Sequence, residues 1–419
     1  MEPEASGQEV QDKDLPLDKQ RIAIIGAGTA GLASAILLAR QGHDVTLFER
    51  AEALAPVGAG ILLQPSGLAA LKELGCLTHI LDYGHRVDAL RGLNASGNPI
   101  MNVAYADLGE GDEVFGLGVH RATLCNVLDE TLSNLPHRRQ FCCQVESVED
   151  RGRETLVRFR HGSEEHSQAF DVLLVANGSA SQLRPASLVQ YDRQYPWGAM
   201  WLIRPLTESL ADFRSPTLQQ RYRSSRQMAG MLPTGSVPGN GDVPMVSFFW
   251  SLPVSDMAQW HEQGFDLGKW RNDVLRLWPD LNPLVESIQS PAELLPATYR
   301  DVVMSRWGQG RIGVIGDAAH AMSPQLGQGA NMALLDAVAV ARAVGGASTW
   351  NDVWTSFADQ RSGSIRFYQR MSRLLTPMFQ SHLRGADRAR DLALTISQKV
   401  PWLKRQMVET VAGRKQKWW

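Results

Sequence analysis

The run Arg21-Ile22-Ala23-Ile24-Ile25-Gly26-Ala27-Gly28-Thr29-Ala30-Gly31, continued by an apolar Ala-rich stretch to Arg40, decides the fold. A short β-branched strand, a glycine-rich turn and a helix follow one another without interruption. In this Gly-x-Gly-x-x-Gly pattern, Gly26 permits the tight turn and Gly28 lets backbone approach a pyrophosphate. Gly31 lets the helix close on the strand, and a bound anion rests on the N–H groups at the helix start. Val45 to Phe48 is a second strand that ends at Glu49, 18 residues beyond Gly31, where an acid can accept hydrogen bonds from ribose hydroxyls. Together with Ala30 and Arg50 these residues form a predicted adenine-dinucleotide site.

Outward from this turn, Phe170 to Ala176 and Ile312 to Ile315 are further continuous apolar strands, as in a parallel sheet covered on both faces. The nucleotide fold is therefore assembled from distant segments. The expected fold class is α/β, a Rossmann-like dinucleotide-binding domain of GR2 type assembled from discontinuous segments, with an inserted mixed-sheet substrate domain and C-terminal helices. We divide the chain into a disordered acidic leader (1–20), a first nucleotide-binding part (21–184) with an excursion into the substrate lobe near 76–118, and a substrate domain (185–300). The nucleotide domain returns at 301–349, and helices with a basic tail occupy 350–419. All 12 Trp lie from Trp197 onward, six of them before residue 279, so the aromatic content belongs to the insert and the helices.

Composition narrows the function. The 419 residues carry a formal net charge of −2, which argues against a general nucleic-acid binder. The first 20 residues hold six acids and two Lys and no apolar signal core. The stretch from Lys404 has five basic residues against Glu409; it reads as a frayed tail or, through Trp418 and Trp419, as a membrane-surface or partner contact. No run of about 18 apolar residues spans a bilayer. Cys76, Cys125, Cys142 and Cys143 show no CxxC spacing, so a reducing cytoplasmic setting and no metal site are expected.

A second motif specifies the dinucleotide. Gly316-Asp317-Ala318-Ala319-His320 closes a strand, and Pro324-Gln325-Leu326-Gly327-Gln328-Gly329-Ala330-Asn331 opens an Ala/Leu-rich helix. Here the chain resembles the FAD-dependent aromatic hydroxylases, single-component flavoprotein monooxygenases with the p-hydroxybenzoate hydroxylase fold, from Arg21 to about Phe379. The resemblance implies non-covalent FAD, with Asp317 on its ribose and Pro324, Gly327, Gln328, Gly329, Ala330 and Asn331 along the isoalloxazine. It also implies that Arg121, in His120-Arg121-Ala122-Thr123-Leu124, reaches the FAD. Gly60, in a Gly-x-Gly-Ile segment like that of salicylate-hydroxylase-like members, is implied to pass near the ring. His320 is expected to be a structural hydrogen-bonding residue of its turn. The family's Asp-Gly pair is replaced by Asn177-Gly178, which keeps a carbonyl acceptor and loses the charge.

The implied reaction takes electrons from NADH or NADPH, forms a flavin C4a-hydroperoxide with O₂, and hydroxylates or epoxidises an aromatic or largely apolar small molecule. A phenolic substrate is helped by a base, for which Tyr222, His85 and Tyr195 are candidates, with Tyr83, Tyr191 and His261 also weighed. Trp201, Phe248, Trp250 and Pro324 are candidate pocket residues, although strand alternation sends Phe248 and Trp250 away from Phe249. The competing readings are a reductase or halogenase on the same scaffold and a non-enzymatic binding module. A monomer or homodimer is expected.

Overall fold

The computed structural model describes residues 17–54, 59–260, 262 and 264–417. Residues 1–16, His261, Trp418 and Trp419 lie outside them, and with them most of the predicted leader and the terminal Trp pair.

The apolar run Arg21–Ile25 forms the central strand of a six-stranded sheet. It pairs in parallel with Asp44–Phe48 on one side and Val172–Val175 on the other, and Val172–Val175 pairs in parallel with Ile312–Val314. Three strands far apart in sequence thus lie side by side because each is apolar on both faces and must be covered by helices. Helix Thr29–Arg40 covers the strands with helix Gly329–Gly346 packed on it, and Phe159 of the three-stranded sheet Cys143–Asp150, Thr155–His161 and Glu164–Phe170 packs edge-on to Phe48. The closeness of helix 29–40 to its strand has a single cause. A Cβ at position 31 would stand 1.9 Å from the Gly26 carbonyl oxygen, so only glycine fits.

The second lobe is built on a seven-stranded mixed sheet. Its strands run in the order Leu295–Met304, Val189–Pro205, Met245–Pro253, Gln227–Gly235, Thr217–Arg223, Ala89–Asn94 and Pro99–Ala104. The last two come from the excursion at 76–118, and Ala89–Asn94 pairs in parallel with Thr217–Arg223.

Strand alternation gives this sheet two apolar faces with different partners. One face, carrying Met200, Met231, Phe248 and Trp250, is covered by helices Val254–Gln259, Leu267–Leu277 and Asn282–Ser287. Trp270 lies edge-on to Phe248, Trp250 and Trp260, so much of the insert's Trp content fills this layer. The opposite face, carrying Trp201, Tyr222, Met228, Phe249 and Tyr299, meets Leu375, Met378 and Phe379 of helix Trp350–Phe379 and Leu394 of helix Ala386–Lys399.

The chain from Lys404 is docked, which corrects the expectation of a frayed basic tail. Lys404 pairs with Asp107 (2.7 Å), Arg414 with Glu110 (2.5 Å) and Lys415 with Glu409 (2.7 Å). Tyr368 donates to the Thr410 carbonyl (3.0 Å), and Val408, Val411 and Ala412 are buried against Tyr105 and Leu62. Two acids distant in sequence, Asp107 and Glu110, offset part of the local charge, a pairing that a local charge count cannot reveal.

Gly31→Ala is expected to destabilise the protein by about 3 kcal/mol, because backbone must shift to admit the methyl group. Urea unfolding followed by circular dichroism measures this.

Candidate active site

A cleft of about 850 Å³ opens at the carboxyl ends of the parallel strands, and its walls come from every segment of the nucleotide domain. The turn Gly26–Ala30 forms its floor, Glu49 and Arg50 one side, Arg121 and Ala122 another, and Asp317, Gly329, Ala330 and Ala333 the far end. Gly26 has φ +105°, and its N–H donates to the Phe48 carbonyl (2.8 Å), which holds the turn over the second strand. A Cβ at Gly28 would meet nothing within 4 Å, so the space beside this glycine is open for a ligand to reach the backbone. Glu49 accepts hydrogen bonds from the N–H groups of Ala27 (2.8 Å) and Ala51 (3.0 Å), which aims its carboxylate along the turn. Arg121 opens helix Arg121–Ser133, and its N–H donates to the Ala59 carbonyl (3.2 Å).

The far end of the cleft depends on a residue the sequence reading did not single out. Asp336 is wholly buried within helix Gly329–Gly346. Its Oδ2 accepts the Gly316 N–H (2.9 Å) and lies 2.5 Å from His320 Nε2, while its Oδ1 accepts Arg361 Nε (2.8 Å). Burial opposes the charge, yet His320 and Arg361 outweigh it and hold the Asp336 carboxyl down to about 2. These contacts fix Gly316 at φ +60° and place the exposed Asp317 side chain at the cleft. His320 therefore serves its turn and lies outside the cleft walls. An acid inside the otherwise apolar run Met332-Ala-Leu-Leu-Asp336-Ala-Val-Ala was the signal available in the sequence.

The predicted isoalloxazine residues divide into two groups. Gly329 and Ala330 line the cleft. Pro324, Gly327, Gln328 and Asn331 are not among its walls, and the side chains of the last two are engaged elsewhere. Asn331 Oδ1 accepts the Gln64 N–H (2.8 Å), and its Nδ2 donates to the carbonyls of Gly327 (2.9 Å) and Leu62 (3.2 Å). Gln328 Nε2 donates to the Val411 carbonyl (2.8 Å). These two side chains brace the turn, and backbone is what the turn has left to offer a ring. Gly60 also sits differently from its expected role. A Cβ there would lie 2.5 Å from Ser247 Cβ, and its N–H donates to Ser247 Oγ (3.0 Å), so this glycine lets the two lobes meet while its neighbour Ile61 lines the cleft.

Asn177 and Gly178 border the cleft, and the loop that follows them is held by the buried Arg184. Its guanidinium donates to the Ser181 carbonyl (2.6 Å), to the carbonyls of Ser179 and Ala318, and to Asp192 (2.9 Å), which also pairs with Arg300 (2.6 Å). One arginine thus ties the Asn177 loop to the turn that carries Asp317.

The three candidate bases lie outside the cleft walls. Tyr222 is buried in the sheet against Phe379 and Arg390 and donates to Gln220 (2.7 Å); burial raises its phenol far above the usual range. Tyr195 is half-buried, and desolvation followed by the nearby Asp301 raises its phenol. His85 is in a three-stranded sheet, paired with Gly118, and burial lowers its pKa. Among the pocket candidates, Phe248 and Trp250 are corrected to core residues of the helix-covered face. Trp201 is on the opposite face, 5.0 Å from the Phe249 ring, with its indole N–H 3.4 Å from the Tyr299 hydroxyl.

Comparison with known proteins agrees with this architecture. Residues 19–349 match the family model described as an FAD binding domain, and the chain belongs to that family. It is a flavin-dependent monooxygenase of the aromatic-hydroxylase class, with FAD as its cofactor. The chain is 29% identical to the salicylate hydroxylase of Pseudomonas putida, over 78% of this chain and 77% of that one. It is 28% identical to the kynurenine 3-monooxygenase of Stenotrophomonas maltophilia, over 90% and 82%. It is 29% identical to the aurachin C monooxygenase/isomerase of Stigmatella aurantiaca, over 77% and 79%. The fold superposes on Klebsiella pneumoniae HpxO, solved with FAD and uric acid, at a TM-score of 0.76 and 21% identity over 94% and 97% of the two chains. Among the described residues no helix is long and apolar enough to cross a membrane, and no His, Cys, Asp or Glu cluster could hold a metal ion.

The open space at Gly28 and the acids at the two ends of the cleft fit FAD. Gly28→Val is therefore expected to leave the fold intact and to weaken FAD binding at least about 100-fold, because the side chain occupies space the pyrophosphate needs. Flavin fluorescence titration beside an unchanged melting curve checks this.

Asp336→Asn is expected to cost about 3–5 kcal/mol at neutral pH by leaving the buried Arg361 guanidinium without its counter-charge. Because the folded pKa is depressed from 3.8 to about 2, the carboxylate contributes about 2 kcal/mol that is present above pH 4 and lost as pH falls towards 2. Urea unfolding as a function of pH measures both, and the Asn variant loses that acid dependence.

Proposed function

We propose that this enzyme uses NADH or NADPH and O₂ to hydroxylate or epoxidise an uncharged, aromatic or largely apolar small molecule. The observation that carries this reading is the sheet face bearing Trp201, Met228, Phe249 and Tyr299, together with Phe379. The buried Arg390 beside it is engaged by Asp391 and by the carbonyls of Ser224 and Met378, so its guanidinium is not free for a substrate carboxylate. Relatives named for salicylate and kynurenine act on ring compounds, which accords with an aromatic substrate.

In this reading the glycine turn and the start of helix Thr29–Arg40 hold the pyrophosphate, and Glu49 and Asp317 accept ribose and ribityl hydroxyls. Bound FAD supplies electron transfer from the nicotinamide and the activation of O₂. The first N–H groups of helix Gly329–Gly346 have no partner within the helix and are available to negative charge on the reduced ring. Trp201, Phe249 and Tyr299 exclude water and orient a planar substrate. No tyrosine of this face serves as base near neutral pH, because burial holds Tyr299 up to about 12 and Tyr222 higher still.

NAD(P)H consumption measured across phenols, quinolones, indoles and polyketides, with product mass read for one added oxygen atom, tests the proposal. Turnover of neutral ring compounds is expected, and Trp201→Ala should raise KM about tenfold with a smaller change in kcat. Productive turnover confined to small charged acids, or peroxide release without product from every compound, overturns it.

A further inference from the structure

We infer that the outer face of the C-terminal helices docks on an anionic lipid bilayer surface. Nine large apolar side chains are exposed among the described residues, and five of them fall between positions 383 and 402. They are Leu383 (61% exposed), Leu392 (64%), Ile396 (46%), Val400 (40%) and Trp402 (63%). Helical periodicity places Arg388, Leu392, Ile396, Lys399 and Val400 on one stripe of helix Ala386–Lys399 and its C-cap. The inward side of the same helix is already used. Arg390 is buried on the Tyr222 and Phe379 rings, Leu394 packs in the same cluster, and Gln398 donates to the Ile100 carbonyl (2.7 Å).

Charge selects the occupant. Arg384, Arg388 and Lys399 are exposed and make no ion pair among the described residues. Of the nearby carboxylates, Asp391 is paired with Arg390 (2.7 Å) and Asp387 lies about 140° round the helix from Leu392. An apolar stripe with a tryptophan at its end, bordered by unpaired cations, matches the layering of a bilayer interface, where acyl chains meet indole and stem carbons and anionic headgroups meet the cations. A second copy is a poorer match. A two-fold contact through this face would bring the same three cations against their own copies with no carboxylate between them. The stripe extends about 20 Å, the length of the 14-residue helix, so the helix would rest parallel to the surface.

The test uses the full FAD-loaded chain and sedimentation with vesicles of phosphatidylcholine alone or with about one-third phosphatidylglycerol, at low and high salt. The expected result is binding to the anionic vesicles that weakens with salt. Leu392→Glu combined with Ile396→Glu should abolish it, and Arg388→Gln combined with Lys399→Gln should weaken it about fivefold for each cation removed. All four positions are exposed, so flavin absorbance and NAD(P)H oxidation should match the parent and report an intact fold. Wild-type protein that stays in the supernatant, binds both vesicles equally, or binds as well with the four substitutions overturns the inference. So does a dimer seen by light scattering that the Glu pair dissociates without any vesicle binding, an outcome that assigns the face to a second copy.

Discussion

A single buried carboxylate, Asp336, sets the geometry at the flavin end of this molecule. It meets the Gly316 backbone, the His320 ring and the Arg361 guanidinium, groups from the turn after a sheet strand and from a C-terminal helix. Neutral side chains of similar size would fill the volume. An apolar one would not accept the Gly316 N–H, and no neutral one would supply the counter-charge to Arg361. A charge in this place is tolerated because the Arg361 guanidinium, the His320 ring and one N–H satisfy it. The Arg184 network works in the same manner on the adjacent loop, where one guanidinium bridges the Asn177 segment and the Asp317 turn.

The second lobe is placed by close approach. Gly60 allows its strand to touch Ser247, and the sheet is thereby held beside the nucleotide domain. Once it is there, the two faces of the sheet have different fates. The Trp-rich side is sealed by three short helices, and the side with Trp201 and Phe249 turns to the helices that also support the flavin turn. Helix Trp350–Phe379 takes part in both regions, since Arg361 reaches Asp336 while Phe379 packs on Tyr222. The C-terminal segment completes the arrangement, because Val411 accepts from Gln328 at the turn itself.

Much of this was legible in the residues from Arg21 to Gly31 and from Gly316 to Asn331. Glycines at such positions report contacts of backbone with backbone or with phosphate, and those contacts are local, so spacing alone reveals them. The apolar strands 170–176 and 312–315 also declared themselves, because a strand buried on both faces has no polar alternation. Phe248 and Trp250 misled for a related reason. Periodicity separates them from Phe249, and it cannot say which side of a sheet will meet a cofactor. Asp336 went unnoticed because its partners lie 16 to 25 residues away and are brought together only by packing.

By itself, then, the sequence determined an FAD-binding α/β enzyme with an aromatic insert, since turn chemistry and strand burial are encoded within short windows. Tertiary structure alone decided that the basic C-terminal segment is docked through ion pairs with Asp107 and Glu110, and that Asn331 and Gln328 brace the turn with their side chains. It also decided which aromatic residues belong to a sealed core. Each of these depends on which distant side chains folding brings into contact, and a contact between residues far apart in the chain leaves no trace in the local pattern.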